Sequence, residues 1–236
     1  NVLIEDILND NTGNAILAVS EEEYKIVKQL RKFPVIKELD FIFNLRGELD
    51  LTANKKNIIH ENTGYRLIRG RNIGYYELLS FDRKEYILPD FVNSSKKKKF
   101  IEQDRIVCQQ IANMNRERRV KFSYVPKNFV LGNSCNFISV SENIYGIDIY
   151  TMLGLLNTKL INWLFKLTSS NNHINNYEID CFPVPINSVE LSKISVLARK
   201  YIDSGDSKIL EDIENLAEIA YGLKKETEEE LSDNNY

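Results

Sequence analysis

The chain has 236 residues, 43% hydrophobic and 28% charged, with 5 prolines and 10 glycines. That length and balance suit one large globular domain or two small ones, and they exclude a collagen-like or low-complexity chain. The net charge of −3 conceals a basic middle: residues 46–127 carry 18 basic and 10 acidic groups, against 5 and 8 in residues 1–45 and 8 and 16 in residues 128–236.

The N-terminal NVLIEDILND has no basic segment leading into a long apolar core, and no apolar run approaches the roughly 18 residues of a membrane span. It also lacks an initiator methionine, so the chain is expected to be a piece of something longer. SEEEYKIVKQLRKF opens with a capping box, Ser20 with Glu23. Tyr24, Val27, Leu30 and Phe33 then share one helical face, and Pro34 ends it. From Phe41 to Val140 the pattern changes. Short apolar runs (FIFNL, GYRLI, EYIL, RIVCQQI, KFSYV, NFISV) alternate with Gly, Asn, Asp and Pro, the punctuation of a strand-rich region. SSKKKK (94–99) reads as an exposed loop tip.

Helical period returns at Asp148. Leu153, Leu156, Leu160, Trp163, Leu164 and Leu167 predict one long helix to about Thr168. NNHINNYEIDCFPVPI (171–186) follows, read as a polar turn and a short strand in which Tyr177, Ile179 and Phe182 pack and Pro183 and Pro185 end the sheet. Two more helices are expected, from Ser188 to near Gly205 and from about Ser207 to Tyr221, with Gly222 just past the second. The tail KKETEEELSDNNY is expected to fray. The fold class is therefore α+β: a strand-rich mixed domain with a long helix and a C-terminal helical pair. The division expected is residues 1–187 for the mixed domain and 188–236 for the helical pair and acidic tail packed on it.

Chemistry is sparse. Nucleophilic or general-base catalysis commonly uses histidine; only His60 and His173 are available, and neither has convergent partners. Pro89-Asp90 resembles the start of a nuclease metal site, but no acidic-x-lysine element follows nearby; the first, Asp206-Ser207-Lys208, opens a surface helix. PD is read as a strand-terminating turn. Phosphate-binding loops and the Asn/Asp-Pro-Pro-aromatic motif of adenine methyltransferases are missing. Cys108, Cys135 and Cys181 form no CxxC pair, which points to free thiols in a reducing cytoplasm. No catalytic or metal-binding residue is assigned.

What remains is a polyanion-reading surface. Residues 43–78 place Arg46, Lys55, Lys56, Arg66, Arg69 and Arg71 among asparagines, glycines and Tyr75-Tyr76. A second cluster, NMNRERRVKFSYVPK, supplies Arg116, Arg118, Arg119 and Lys121. Arginine contacts guanine bidentately, asparagine does so for adenine, and lysine seats phosphates. The alternative is an ordinary solvated face.

The order of the segments resembles the C-terminal specificity, or target recognition, domain of TaqI-like adenine methyltransferases. Such domains also occur in fused restriction–modification enzymes of type IIG and in the Alw26I/Eco31I/Esp3I group. FIFNLRGELDLTANKKNI with YRLIRGRNIGYYEL carries the first likeness, and RIVCQQIANMNRERRVKFSYVPKNFVLGNSCNFISV the second. The third is YGIDIYTMLGLLNTKLINWLFKLTSSNNHINNYEIDCFPVPI, and LAEIAYGLKKETEEEL is similar to the family's close. Leu45-Arg46-Gly47 departs from the pattern, where the family has a bare glycine after the strand.

The resemblance implies a domain that reads a short site in double-stranded DNA from its first half and packs against a catalytic methyltransferase domain of the same parent chain. It implies that S-adenosylmethionine, and any nuclease magnesium, belong to other domains, so no cofactor is expected here. A prokaryotic, cytoplasmic phage-defence setting follows, with no membrane partner. The recognition half of a type I specificity subunit and a non-catalytic protein-interaction scaffold are the alternatives. A type I subunit places a long heptad-patterned helix after each recognition domain, whereas two short helices follow here.

Overall fold

The computed structural model describes residues 20–81 and 83–225; the expected fraying from Glu226 onward lies outside them. Ser20 caps α1 (Glu21–Leu30): its hydroxyl accepts from the Glu23 N–H, and the Glu23 carboxylate accepts from the Ser20 N–H. That reciprocal pair satisfies donors the first helical turn leaves open. Val27 and Leu30 are buried on the inner face.

The apolar runs become strands. They are β1 (Ile42–Arg46), β2 (Ile58–Ile59), β3 (Arg66–Ile68), β4 (Tyr86–Ile87), β5 (Arg105–Gln109), β6 (Phe122–Val125), β7 (Phe129–Leu131) and β8 (Cys135–Val140). A large antiparallel sheet has the order β1-β8-β5-β6, and a small mixed sheet the order β2-β4-β3-β7, in which β3 and β7 are parallel. The helices after α1 are α2 (Pro89–Ser94), α3 (Lys98–Ile101), α4 (Ile149–Leu156), α5 (Lys159–Thr168), α6 (Asn176–Ile179), α7 (Glu190–Ser204) and α8 (Lys208–Ala220). The fold is α+β, as its sequence pattern predicts.

Alternation along the strands sets the layers. Ile106 pairs with Ile138, and both enter a core shared with α4, α5, α7 and α8. The neighbouring pair, Val107 with Phe137, points the other way and packs with Ile68 and Leu131 of the small sheet. On that sheet's far side Leu67, Ile87 and Val130 meet Val92 of α2 and Ile101 of α3. The order is thus helices, large sheet, small sheet, short helices.

Between the sheets lies an ion pair with no exposed side-chain surface, Arg105 with Glu48. The Glu48 carboxylate also accepts from the Leu131 N–H at 2.7 Å, and Arg105 donates to the Phe129 carbonyl and lies 5.0 Å from the Phe137 ring centroid. Burial pushes the Glu48 carboxyl up, against the opposing pull of Arg105.

Four local expectations are corrected. The long helix is two helices, α4 and α5, broken at Asn157-Thr158. The Asn157 amide accepts from the Phe122 N–H at 3.0 Å and donates to the Phe122 carbonyl at 2.8 Å, while Thr158 caps α5. In the 171–186 segment the chain makes the helical turn α6 instead of a strand, because Glu178 reaches back to the Asn175 N–H at 2.8 Å. Ile179 and Phe182 are buried there, but Tyr177 is exposed. Pro89 starts α2, where a missing N–H costs nothing. The lysine run is only in part an exposed tip: Lys98 and Lys99 lie in α3, and Lys97 donates to the Arg46 carbonyl at 2.6 Å.

At the C-terminus, α7 ends at Gly205 and α8 is followed by Gly222, each with the positive φ (66° and 68°) that glycine adopts without strain. Their short connection folds α8 back along α7.

Candidate nucleic-acid interface

Strand register gathers the loops. Arg46 at the end of β1 pairs with Asn136 near the start of β8, and Gln109 at the end of β5 pairs with Cys135. Loops 47–57, 110–121 and 132–134 therefore all leave one end of the large sheet. Residues 170–174 join them through a bridge between Ile111 and His173.

Two glycines permit this assembly. A Cβ on Gly47 would stand 2.2 Å from the Gly132 carbonyl oxygen, and one on Gly70 would stand 2.6 Å from that of Ser134. The Gly47 N–H donates to the Cys135 carbonyl at 2.9 Å, and the Gly70 N–H to Ser134 Oγ at 2.9 Å. Both first-half loops are thus pressed against 132–134. This gives the Leu45-Arg46-Gly47 step its physical reason.

Asn133 ties the centre together. Its amide donates to Asp50 at 3.1 Å, and its carbonyl accepts from Arg46 Nε at 3.0 Å. Asp50 in turn accepts from the Thr52 and Ala53 N–H groups at 2.9 Å each, which hold its carboxyl below the ordinary range. Arg46 also reaches Gln110 Oε1 at 3.3 Å. Lys97, beneath Arg46, is drawn below its ordinary pKa by burial.

Loop 110–121 is a finger anchored at both ends. At its base Gln110 N–H donates to the Ser134 carbonyl at 2.9 Å, and the Gln110 carbonyl accepts from the Ile174 N–H at 2.8 Å. The Ala112 N–H reaches the Asn172 carbonyl at 2.8 Å, and the Met114 N–H reaches Asn172 Oδ1 at 3.0 Å. On the returning side Asn162 accepts from the Arg119 and Val120 N–H groups at 2.8 and 3.2 Å and donates to the Glu117 carbonyl at 3.0 Å. Residues 113–117 between these anchors are exposed.

The ten basic residues singled out from sequence divide into three groups. Lys55, Lys56, Arg71 and Arg116 are exposed, and Lys121 is half-buried; among the described residues their charged ends have no hydrogen-bond or ion-pair partner. Arg46 is exposed but braced by Asn133 and Gln110. The other four are spent on the fold. Arg66 lies 3.7 Å over the Phe81 ring, and Arg69 grips Glu85 through two bonds of 2.9 and 3.0 Å. Arg118 donates to the Asn157 carbonyl at 2.7 Å and stacks 4.3 Å over Tyr75. Arg119 is buried and donates to the Ser169 carbonyl at 2.8 Å and to the Asn171 carbonyl.

Tyr76 is likewise buried, with φ of 65°, among Tyr75 and Tyr201. Burial raises the Tyr75 hydroxyl to about 12. Of the two histidines, His173 is exposed on the loop end, whereas exposed His60 lies by the Lys84 carbonyl. Sequence reading passed over Gln110, Asn133 and Asn172; the only trace of them is that amides cluster in CQQ, GNS and SNN. Among the described residues no group of three or more His, Cys, Asp or Glu could hold a metal ion, and no helix is long and apolar enough to cross a membrane.

Cations with no partner among the described residues, side-chain amides and an anchored finger thus share one end of the large sheet. Residues 65–184, just over half of the chain, match the family model of the TaqI-like C-terminal specificity domain, and the chain belongs to that family. Solved structures are also similar to this chain, and two of them illustrate the likeness. One is the Type IIL restriction-modification enzyme MmeI in complex with DNA, at 12% identity and a TM-score of 0.42, over 84% of this chain and 33% of that one. The other belongs to the type I R-M system, at 8% identity and a TM-score of 0.43, over 86% of this chain and 50% of that one. The chain therefore spans at most half the length of these proteins. No curated protein matches the sequence.

Proposed function

We propose that this chain is the DNA target recognition domain of a restriction–modification adenine methyltransferase, a parent that also carries a type II restriction endonuclease in one form of the reading. The observation that carries it is the gathering of Arg46, Arg71, Arg116, Gln110, Asn133 and Asn172 at one end of the large sheet in a chain of this family. Exposed Arg46, Arg71, Arg116 and Asn172, with half-buried Gln110 and Asn133, offer donors and acceptors of the kind that base edges in a major groove require, and Lys55 and Lys56 supply phosphate contacts.

In this reading the recognition unit runs to residue 187, and the helical pair that begins after it packs on that unit. The partners are double-stranded DNA and the catalytic methyltransferase domain of the parent chain. S-adenosylmethionine and magnesium act in other domains of that parent, and the setting is a prokaryotic cytoplasm.

Fluorescence anisotropy on random duplex tests the reading. Weak, steeply salt-dependent binding is expected, because one jaw of the clamp contributes only its own phosphate contacts. Absence of binding at roughly tens of micromolar protein in low salt, against the 10⁻⁴–10⁻⁶ M span of non-specific binding, would overturn it.

A further inference from the structure

Ile111 sits at the base of the finger with 59% of its surface exposed, while its neighbour Ala112 is 2% exposed. A lone exposed aliphatic residue ordinarily calls for no explanation. This one differs in how firmly it is presented. Gln110 before it is bonded through both its N–H and its carbonyl, to Ser134 and Ile174. Ala112 after it is bonded to Asn172, and Ile111 itself bridges His173. Its branched Cβ leaves little freedom about χ1. The side chain is therefore held out from a fixed backbone, next to the Arg46–Gln110 pair.

We propose that Ile111 reads the 5-methyl group of a thymine in the major groove, an assignment that rests on the DNA-recognition reading above. The polar groups around it recognise hydrogen-bonding edges: guanidinium on guanine, amide on adenine. None of them can sense a methyl group, which only an apolar side chain distinguishes from bare ring carbon. Ile111 is the apolar group the arrangement supplies. Met114, 43% exposed nearer the tip, is unbranched and less constrained.

The test starts from a duplex enriched by the 236-residue chain from a randomised pool at low salt. Each thymine is then replaced singly by deoxyuridine, and binding is measured by anisotropy. At one position the loss of a methyl contact is expected to weaken wild-type binding about fourfold, the value of one buried methyl-sized group. Ile111→Ala is expected to bind the thymine duplex about fourfold more weakly and to ignore uracil at that position. Its unfolding midpoint should match wild type, since the side chain is exposed. Wild-type indifference to uracil at every position would overturn the inference, as would a uracil penalty that persists in Ile111→Ala; a protein partner covering Ile111 predicts the first of these. Failure of any duplex to enrich would remove DNA recognition itself, and this assignment with it.

Discussion

Arg105 and Glu48 meet between the two sheets with neither side chain exposed. Glu48 receives the Leu131 N–H and Arg105 reaches the Phe129 carbonyl, so one ion pair connects β5, β7 and the loop after β1. Removing either partner leaves the other charge buried without compensation. Glu48→Gln and Arg105→Leu should each lose about 3–5 kcal/mol in urea denaturation. A double substitution by apolar residues of similar volume should lose less than the two single losses added together.

Gly47 has no room for a side chain. Gly47→Ala brings a methyl within 2.2 Å of the Gly132 carbonyl, a backbone atom that cannot step aside alone. A cost of about 1–3 kcal/mol is expected from such overpacking. DNA affinity should fall with it, because loop 132–134 carries Asn133. Denaturant midpoints and anisotropy on one preparation check both effects.

The division of the arginines predicts two kinds of variant. Arg71→Ala and Arg116→Ala should leave the unfolding midpoint unchanged and relax preference at individual base positions in a pool selection. Lys55→Ala should weaken all duplexes alike and lower the salt slope by about one. Arg69→Ala should behave differently, losing about 1 kcal/mol of stability, as should Glu85→Ala, because the pair is a brace between β3 and the segment before β4.

Asn162 fastens the returning side of the finger by bonding Glu117, Arg119 and Val120. Asn162→Ala should lower sequence discrimination more than random-duplex affinity, since the cations stay while their placement loosens. Amide hydrogen exchange should quicken at Arg119 and Val120 and stay unchanged in β8.

The thiols give a chemical check on the layers. Burial raises the Cys135 thiol to about 12 and the Cys108 thiol further. Alkylation of the native protein at neutral pH should therefore modify half-buried Cys181 alone. Cys108 and Cys135 should react only once the chain is unfolded, which mass spectrometry of digests resolves.

Much of this was legible in local sequence. The Ser20–Glu23 box, the glycines after α7 and α8, and six apolar runs that became β1, β3, β4, β5, β6 and β8 are signals between residues close along the chain. What escaped was set by distant partners. Nothing near Asn157 announces Phe122, 35 residues earlier, whose backbone breaks the expected long helix. Arg69 reads as a free cation until Glu85 folds beside it, and Arg119 until the 169–171 turn takes its donors. Composition marked the basic middle of the chain, whereas only tertiary contacts separate the charges that brace the fold from those left to meet a ligand.

The ladder pairing also orders events during synthesis. β1 has one partner among the described strands, β8, and Ile42 faces Val140. β3 aligns with β7 at a shorter but still long remove, Arg66 beside Phe129. A chain emerging from the ribosome can pair β4 with β2 and β3, and β5 with β6, but can complete neither sheet until residues 129–140 are out; β1 and the outer edges of β3 and β5 wait unpaired until then. Closure of such long loops is slow. When β7 and β8 do arrive, one continuous stretch of chain seals both sheets, and the loops at their common end take their places together.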